Sequence, residues 1–120
     1  MAKFRFEDLE IWQEAIRVGG RFFKIANKLE KQKLWRFADQ VRGVGMSISN
    51  NISESTGTHM LGEQQFLLRV SKRECYEAAN ILVLLLNEKL IENEEKKELF
   101  EDLDILSRRI QKYSDKLSEG

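Results

Sequence analysis

Proline is absent from these 120 residues, cysteine and histidine occur once each, and the longest wholly apolar run, Ile81 to Leu86, is six residues. Each scarcity excludes something. A chain without proline can run long helices uninterrupted and lacks a residue favoured at tight turns. Cys75, being alone, cannot close an intramolecular disulfide. His59 has no second His or Cys at metal-ligand spacing. The apolar run falls far short of the roughly 20 residues that cross a bilayer, so it is a core segment and no membrane partner is expected. The opening "MAKFRFEDLE" lacks the apolar stretch of a secretory signal, and the expected address is the cytoplasm. Twenty Lys and Arg balance twenty Asp and Glu, so no global field draws the chain to nucleic acid or anionic lipid.

What is present is helical. Charged residues make up 33% of the chain, which suits long solvated helices, and the length fits one domain. Apolar residues recur every three or four positions over four stretches, about 7–30, 34–55, 61–89 and 94–118. Helix 1 is expected to begin near Glu7 or Asp8. It carries two stripes: Leu9, Trp12, Ile16, Gly19, Phe23 and Ala26, and Ile11, Ala15, Val18, Phe22, Ile25 and Leu29. Together they are wider than one neighbouring helix needs. Helix 2 presents Leu34, Phe37, Ala38, Val41, Gly45, Ile48 and Ile52. Gly45 in its interior points to a close helix approach, and Gly57 is expected to end it in a left-handed conformation. The end of helix 3, "ILVLLL", is apolar all round and is expected to be surrounded. Asn93 is expected to cap helix 4, whose stripe is Leu99, Leu103, Leu106, Ile110, Tyr113 and Leu117. Short links favour antiparallel neighbours, hence an all-α, up-down-up-down four-helix bundle.

Three segments in order, "FEDLEIWQEA", "FADQVRGVGMSISNNISES" and "QQFLLRVSKRECYEAANIL", resemble the 23S ribosomal RNA intervening-sequence protein family. The residues that carry the likeness are Phe6, Asp8, Leu9 and Trp12; Gln40 and Arg42; Ser47, Ile48, Asn51, Ile52 and Glu54; and Phe66, Leu67, Glu74 and Glu77. Ser55 departs from the pattern, standing where the family often has Gly, and the basic residue that commonly follows is missing. The resemblance implies a four-helix bundle assembling as a ring-like homopentamer, with no established biochemical role. A similar branch serves as the accessory protein of a retroelement reverse transcriptase through a strongly basic surface, and zero net charge separates this chain from it.

Ser47, Asn51 and Glu54 follow one another at spacings of four and three, so they share a helix side. With Arg42, and with Glu74 and Glu77 on the next helix, they are expected to form a mutually satisfied structural polar network. No catalytic residues, metal ligands or cofactor are expected: there is no paired Glu-x-x-His motif, no imidazole on the helix of Cys75, and no phosphate-cradling glycine loop. Arg108, Arg109, Lys112 and Lys116, near Tyr113, are the candidate nucleic-acid contacts, blunted by nine acids against six bases from Glu92 onward. The surplus apolar width of helix 1 places Val18 and Phe22 at an oligomer interface. The expected function is a non-enzymatic scaffold or binding module that self-associates and takes a protein partner. An RNA- or DNA-binding accessory protein, with weak binding, is the alternative.

Overall fold

The structure, a computed structural model, describes residues 2–120. A short 3-10 turn, Arg5–Asp8, precedes four helices: α1 (Glu10–Lys31), α2 (Trp35–Ser55), α3 (Leu61–Asn87) and α4 (Asn93–Leu117), with no strand among the described residues. The helices pack α1 on α2, α2 on α3 and α3 on α4, and α1 touches α4 more lightly. Specific pairs mark the seams. Arg42 reaches Glu30 between α2 and α1, Ser71 reaches Ile48 between α3 and α2, Gln65 reaches Ser114 between α3 and α4, and Arg21 reaches Glu98 between α1 and α4. One core collects Phe22 and Leu29 of α1, Ile48 and Ile52 of α2, Leu68 and Leu82 of α3, and Leu99 and Leu106 of α4. Each such side chain contributes about 1.5–3 kcal/mol on leaving water.

The closest approach lies at α1 and α2. A Cβ on Gly19 would run into the carbonyl oxygen of Gly45, and a Cβ on Gly45 would stand 3.0 Å from the Cβ of Phe22. Glycine is required at this crossing because the two backbones touch. Gly20 and Gly43, by contrast, face open space.

Several expectations are corrected. The first turn folds as a 3-10 turn and Leu9 is extended, so α1 starts at Glu10. The aromatic rings explain the break: Phe6 packs on Trp12 with centroids 5.0 Å apart, which the turn makes possible. Asn93 lies inside α4 rather than capping it, and Glu92 takes the extended cap position without a side-chain bond. Gly57 has no positive φ; α2 ends with the Gly57 N–H donating to the Glu54 carbonyl at 2.9 Å. Left-handed residues occur instead at Lys33 (φ 65°) and Lys89 (φ 60°). There, Lys33 N donates to Glu30 O and Leu34 N to Leu29 O, while Lys89 N donates to Leu86 O and Leu90 N to Leu85 O. These are the paired bonds of a Schellman ending, and each needs that single reversed residue.

The interface placed on Val18 and Phe22 is also overturned. Both are core residues, 4% and 1% exposed. α1 is wide because it lies against both α2 and α4, so the second apolar stripe is spent on two neighbours within one chain. The exposed large apolar residues of α1 are Ile16 and Phe23, which belong to the first stripe. The "ILVLLL" segment is not surrounded by its own chain: Val83 and Leu84 stay exposed.

Candidate functional site

The polar ladder of α2 meets α3 at half its length. Ser47 Oγ donates to Glu74 Oε2 at 3.0 Å, and Asn51 Nδ2 donates to the Ser47 carbonyl at 2.8 Å, on its own helix. Glu77 lies one turn beyond Glu74. The hydrogen bond it shares with Glu74, partial desolvation and the neighbouring charge of Glu74 hold its carboxyl above the usual carboxylate range. Glu54 is exposed, and standing seven residues, roughly 10 Å, along the axis from Ser47 it takes no part in the Ser47–Glu74 contact. Arg42 belongs elsewhere. It donates to Asn27 Oδ1 at 2.9 Å and to both Glu30 carboxylate oxygens at 3.1 and 3.3 Å, tying α2 to α1. Five residues separate Arg42 from Ser47, which turns their side chains about 140° apart, so one ladder cannot hold both. The structure adds Ser71, fully buried, whose hydroxyl donates to the Ile48 carbonyl at 2.9 Å across the seam. Its sequence signal is the spacing Leu68, Ser71, Cys75, Ala78, Leu82, in which a small polar residue occupies a core position.

Two of the four candidate cations of α4 are answered by carboxylates. Arg108 pairs with Asp104 at 3.2 Å one turn back, and Arg109 pairs with Glu14 of α1. Lys112 and Lys116, with Tyr113, line a shallow groove shared with Asp8 and Glu10. Neither lysine has a carboxylate within 4 Å among the described residues, and a longer row of cations without one lies on α1. Arg17, Lys24, Lys28 and Lys31 are exposed on α1 at spacings of seven, four and three, a single face roughly 21 Å long. Arg21 on that face is held by Glu98 at 3.1 Å and Asp102 at 3.9 Å, but those four, and Lys33 and Arg36 beyond them, have no carboxylate within 4 Å among the described residues. Trp35 stands between the last two, 58% exposed. From Arg17 to Arg42 eight Lys or Arg face two Asp or Glu, a net +6; from Glu88 to Asp104 eight acids face three bases, a net −5. The zero total conceals this segregation.

An open apolar crevice lies between α2 and α3, with Phe37, Val41, Ile81, Leu84 and Leu90 forming its walls and Gln40 and Glu88 its rim. Cys75 is buried, and burial, with the nearby charge of Glu74, pushes its thiol up to about 12. A thiol so held is not a nucleophile near neutral pH. His59 is exposed in the link between α2 and α3. No group of three or more His, Cys, Asp or Glu is placed to hold a metal, and no helix is long and apolar enough to cross a membrane, among the described residues.

The family model described as 23S rRNA-intervening sequence protein matches residues 7–112. No curated protein matches the chain.

Proposed function

The chain belongs to the 23S rRNA-intervening sequence protein family, and from that premise we propose that it is a non-enzymatic scaffold or binding module working as a homo-oligomer. The seam pairings support an up-down-up-down antiparallel bundle as the repeating unit, and a cytoplasmic address suits the lone reduced cysteine. The observation that carries the reading is the placement of large apolar side chains on separate surfaces. Ile16, Phe23 and Met46 are exposed on α1 and α2, while Phe37 and Leu84 are half open at the crevice between α2 and α3. Two different apolar surfaces on one chain favour a heterologous contact, which closes into a ring when its rotation fits. The family resemblance makes that ring a pentamer. Light scattering at micromolar concentration should give a mass well above the 14.1 kDa chain. Phe23→Glu or Leu84→Glu should lower it without unfolding the subunit. A monodisperse wild-type monomer sinks this reading.

A second reading, an RNA- or DNA-binding accessory protein, is favoured by one observation: Arg17, Lys24, Lys28 and Lys31 of α1 have no ion pair among the described residues, although Arg21 between them does. Salt-sensitive retention of nucleic acid during purification without nuclease separates it from a scaffold that takes only protein partners.

A further inference from the structure

We propose that the cationic face of α1, continued through Lys33 and Arg36, binds the phosphodiester backbone of a single-stranded nucleic acid, with the Trp35 indole stacking on a base. The inference rests on the second reading above and fixes its surface, ligand and stacking residue. A solvated helix face ordinarily mixes charges of both signs. Here Arg17, Lys24, Lys28 and Lys31 stand on one face with no carboxylate within ion-pairing reach, so they repel one another until an anion covers them.

The helix dipole accounts for Lys28 and Lys31, which lie in the last turn of α1, but not for Arg17 or Lys24 in its middle. It works against Arg36, in the first turn of α2, where no acidic residue and no side-chain cap offset the positive helix end. Arg17, Lys24 and Arg36 are thus left without an ion pair or a favourable helix end, whereas Arg21 is held by α4 carboxylates and Lys28 shares a crevice with Glu92 and Glu95. Trp35 adds a second requirement. An indole more than half exposed between two cations is placed to stack on an unpaired base, which a duplex does not offer. The acidic stretch from Glu88 to Asp104 on another copy is the competing occupant. It is the weaker one, because Glu98 and Asp102 are already held by Arg21 and because it supplies nothing for Trp35 to stack on.

The test uses the full chain and a labelled 20-nucleotide oligothymidylate in polarisation titrations between 50 and 200 mM salt. With four to six phosphates neutralised, the log–log slope should be roughly −3 to −4, with affinity no tighter than micromolar at physiological salt. Lys24→Glu with Lys31→Glu should weaken binding at least about tenfold, and the milder Lys24→Gln with Lys31→Gln should reduce the slope by about 1.4. Trp35→Ala should cost about tenfold on the single strand and under about twofold on a duplex of equal length. Arg108→Glu with Lys112→Glu, on α4, should leave affinity within about twofold. Masses by light scattering on the same samples separate the two readings. Salt-dependent binding by a monomeric wild type supports this surface while sinking the assembly reading. The proposal is overturned if the α1 reversals leave affinity unchanged, if polyglutamate competes as well as the oligonucleotide, or if the reversals lower the mass as they abolish binding, which would make the face a subunit contact.

Discussion

α2 has two neighbours and meets them on opposite terms. Against α1 it brings bare backbone, Gly45 on Gly19, and ties the edge with the Arg42 guanidinium on Asn27 and Glu30. Against α3 it brings the Ser47 hydroxyl, which donates to Glu74, and the Ile48 carbonyl, which accepts from Ser71, and at one end the seam opens into the crevice between Phe37 and Leu84. A backbone contact tolerates no added atom. A side-chain seam can shift a rotamer, take a water or lose a bond. The first seam is therefore rigid and intolerant of change, and the second is adjustable.

The widest gap between the seams should appear at neighbouring glycines. Gly19→Ala drives a methyl into the Gly45 carbonyl and should cost about 3 kcal/mol, roughly 10 °C in Tm. Gly20→Ala, one residue on and facing open space, should gain up to about 1 kcal/mol from helix propensity. Equal melting temperatures for the two variants would break the comparison. At the α2–α3 seam, Ser71→Ala should cost about 1–2 kcal/mol, because it removes a buried interhelical hydrogen bond. Asn51→Leu should cost less than about 1 kcal/mol, since the bond it deletes is to its own helix. Denaturant melts that reversed this order would move the weight of the seam to Asn51. In the turn that leads α1 into α2, Lys33→Gly should stabilise by about 0.5–1 kcal/mol by removing the left-handed penalty, and Lys89→Gly should do the same after α3.

The smallest effect is one of pH. A carboxyl raised in the folded state favours folding below its unfolded value, and that advantage is lost as pH rises through the folded value. Glu77, raised by Glu74, should therefore make the wild type gain on Glu77→Gln as pH falls through the carboxylate range. Parallel Tm curves for the two proteins would remove the Glu74–Glu77 pair from the account.

The four helices were legible because period and spacing report burial on one helix at a time. The crossing at Gly45 was legible too, since glycine inside a helix needs a reason. What one helix cannot report is how many neighbours share its face. Val18 and Phe22 looked surplus from α1 alone, yet α4 covers what α2 leaves. The ladder was half legible: Ser47 and Glu74 do meet, whereas Arg42 is turned away by helical geometry that spacing could have revealed. The α1 cations escaped notice for another reason. A net charge of zero is an average over the chain, and it conceals the run of eight Lys or Arg against two acids from Arg17 to Arg42.

Cys75 gives the molecule a built-in clock. Its thiol is buried at the base of a crevice between α3 and α4 that Leu103 and Ser107 also line, and is almost wholly protonated at neutral pH. An alkylating reagent can modify it only during the intervals when α3 and α4 part, so the labelling rate counts openings of that seam. Denaturant dependence would then tell partial opening, with a shallow slope, from complete unfolding, with a slope set by all the surface exposed. In a ring, the same rate compared across protein concentrations would report whether neighbours hold the helices shut.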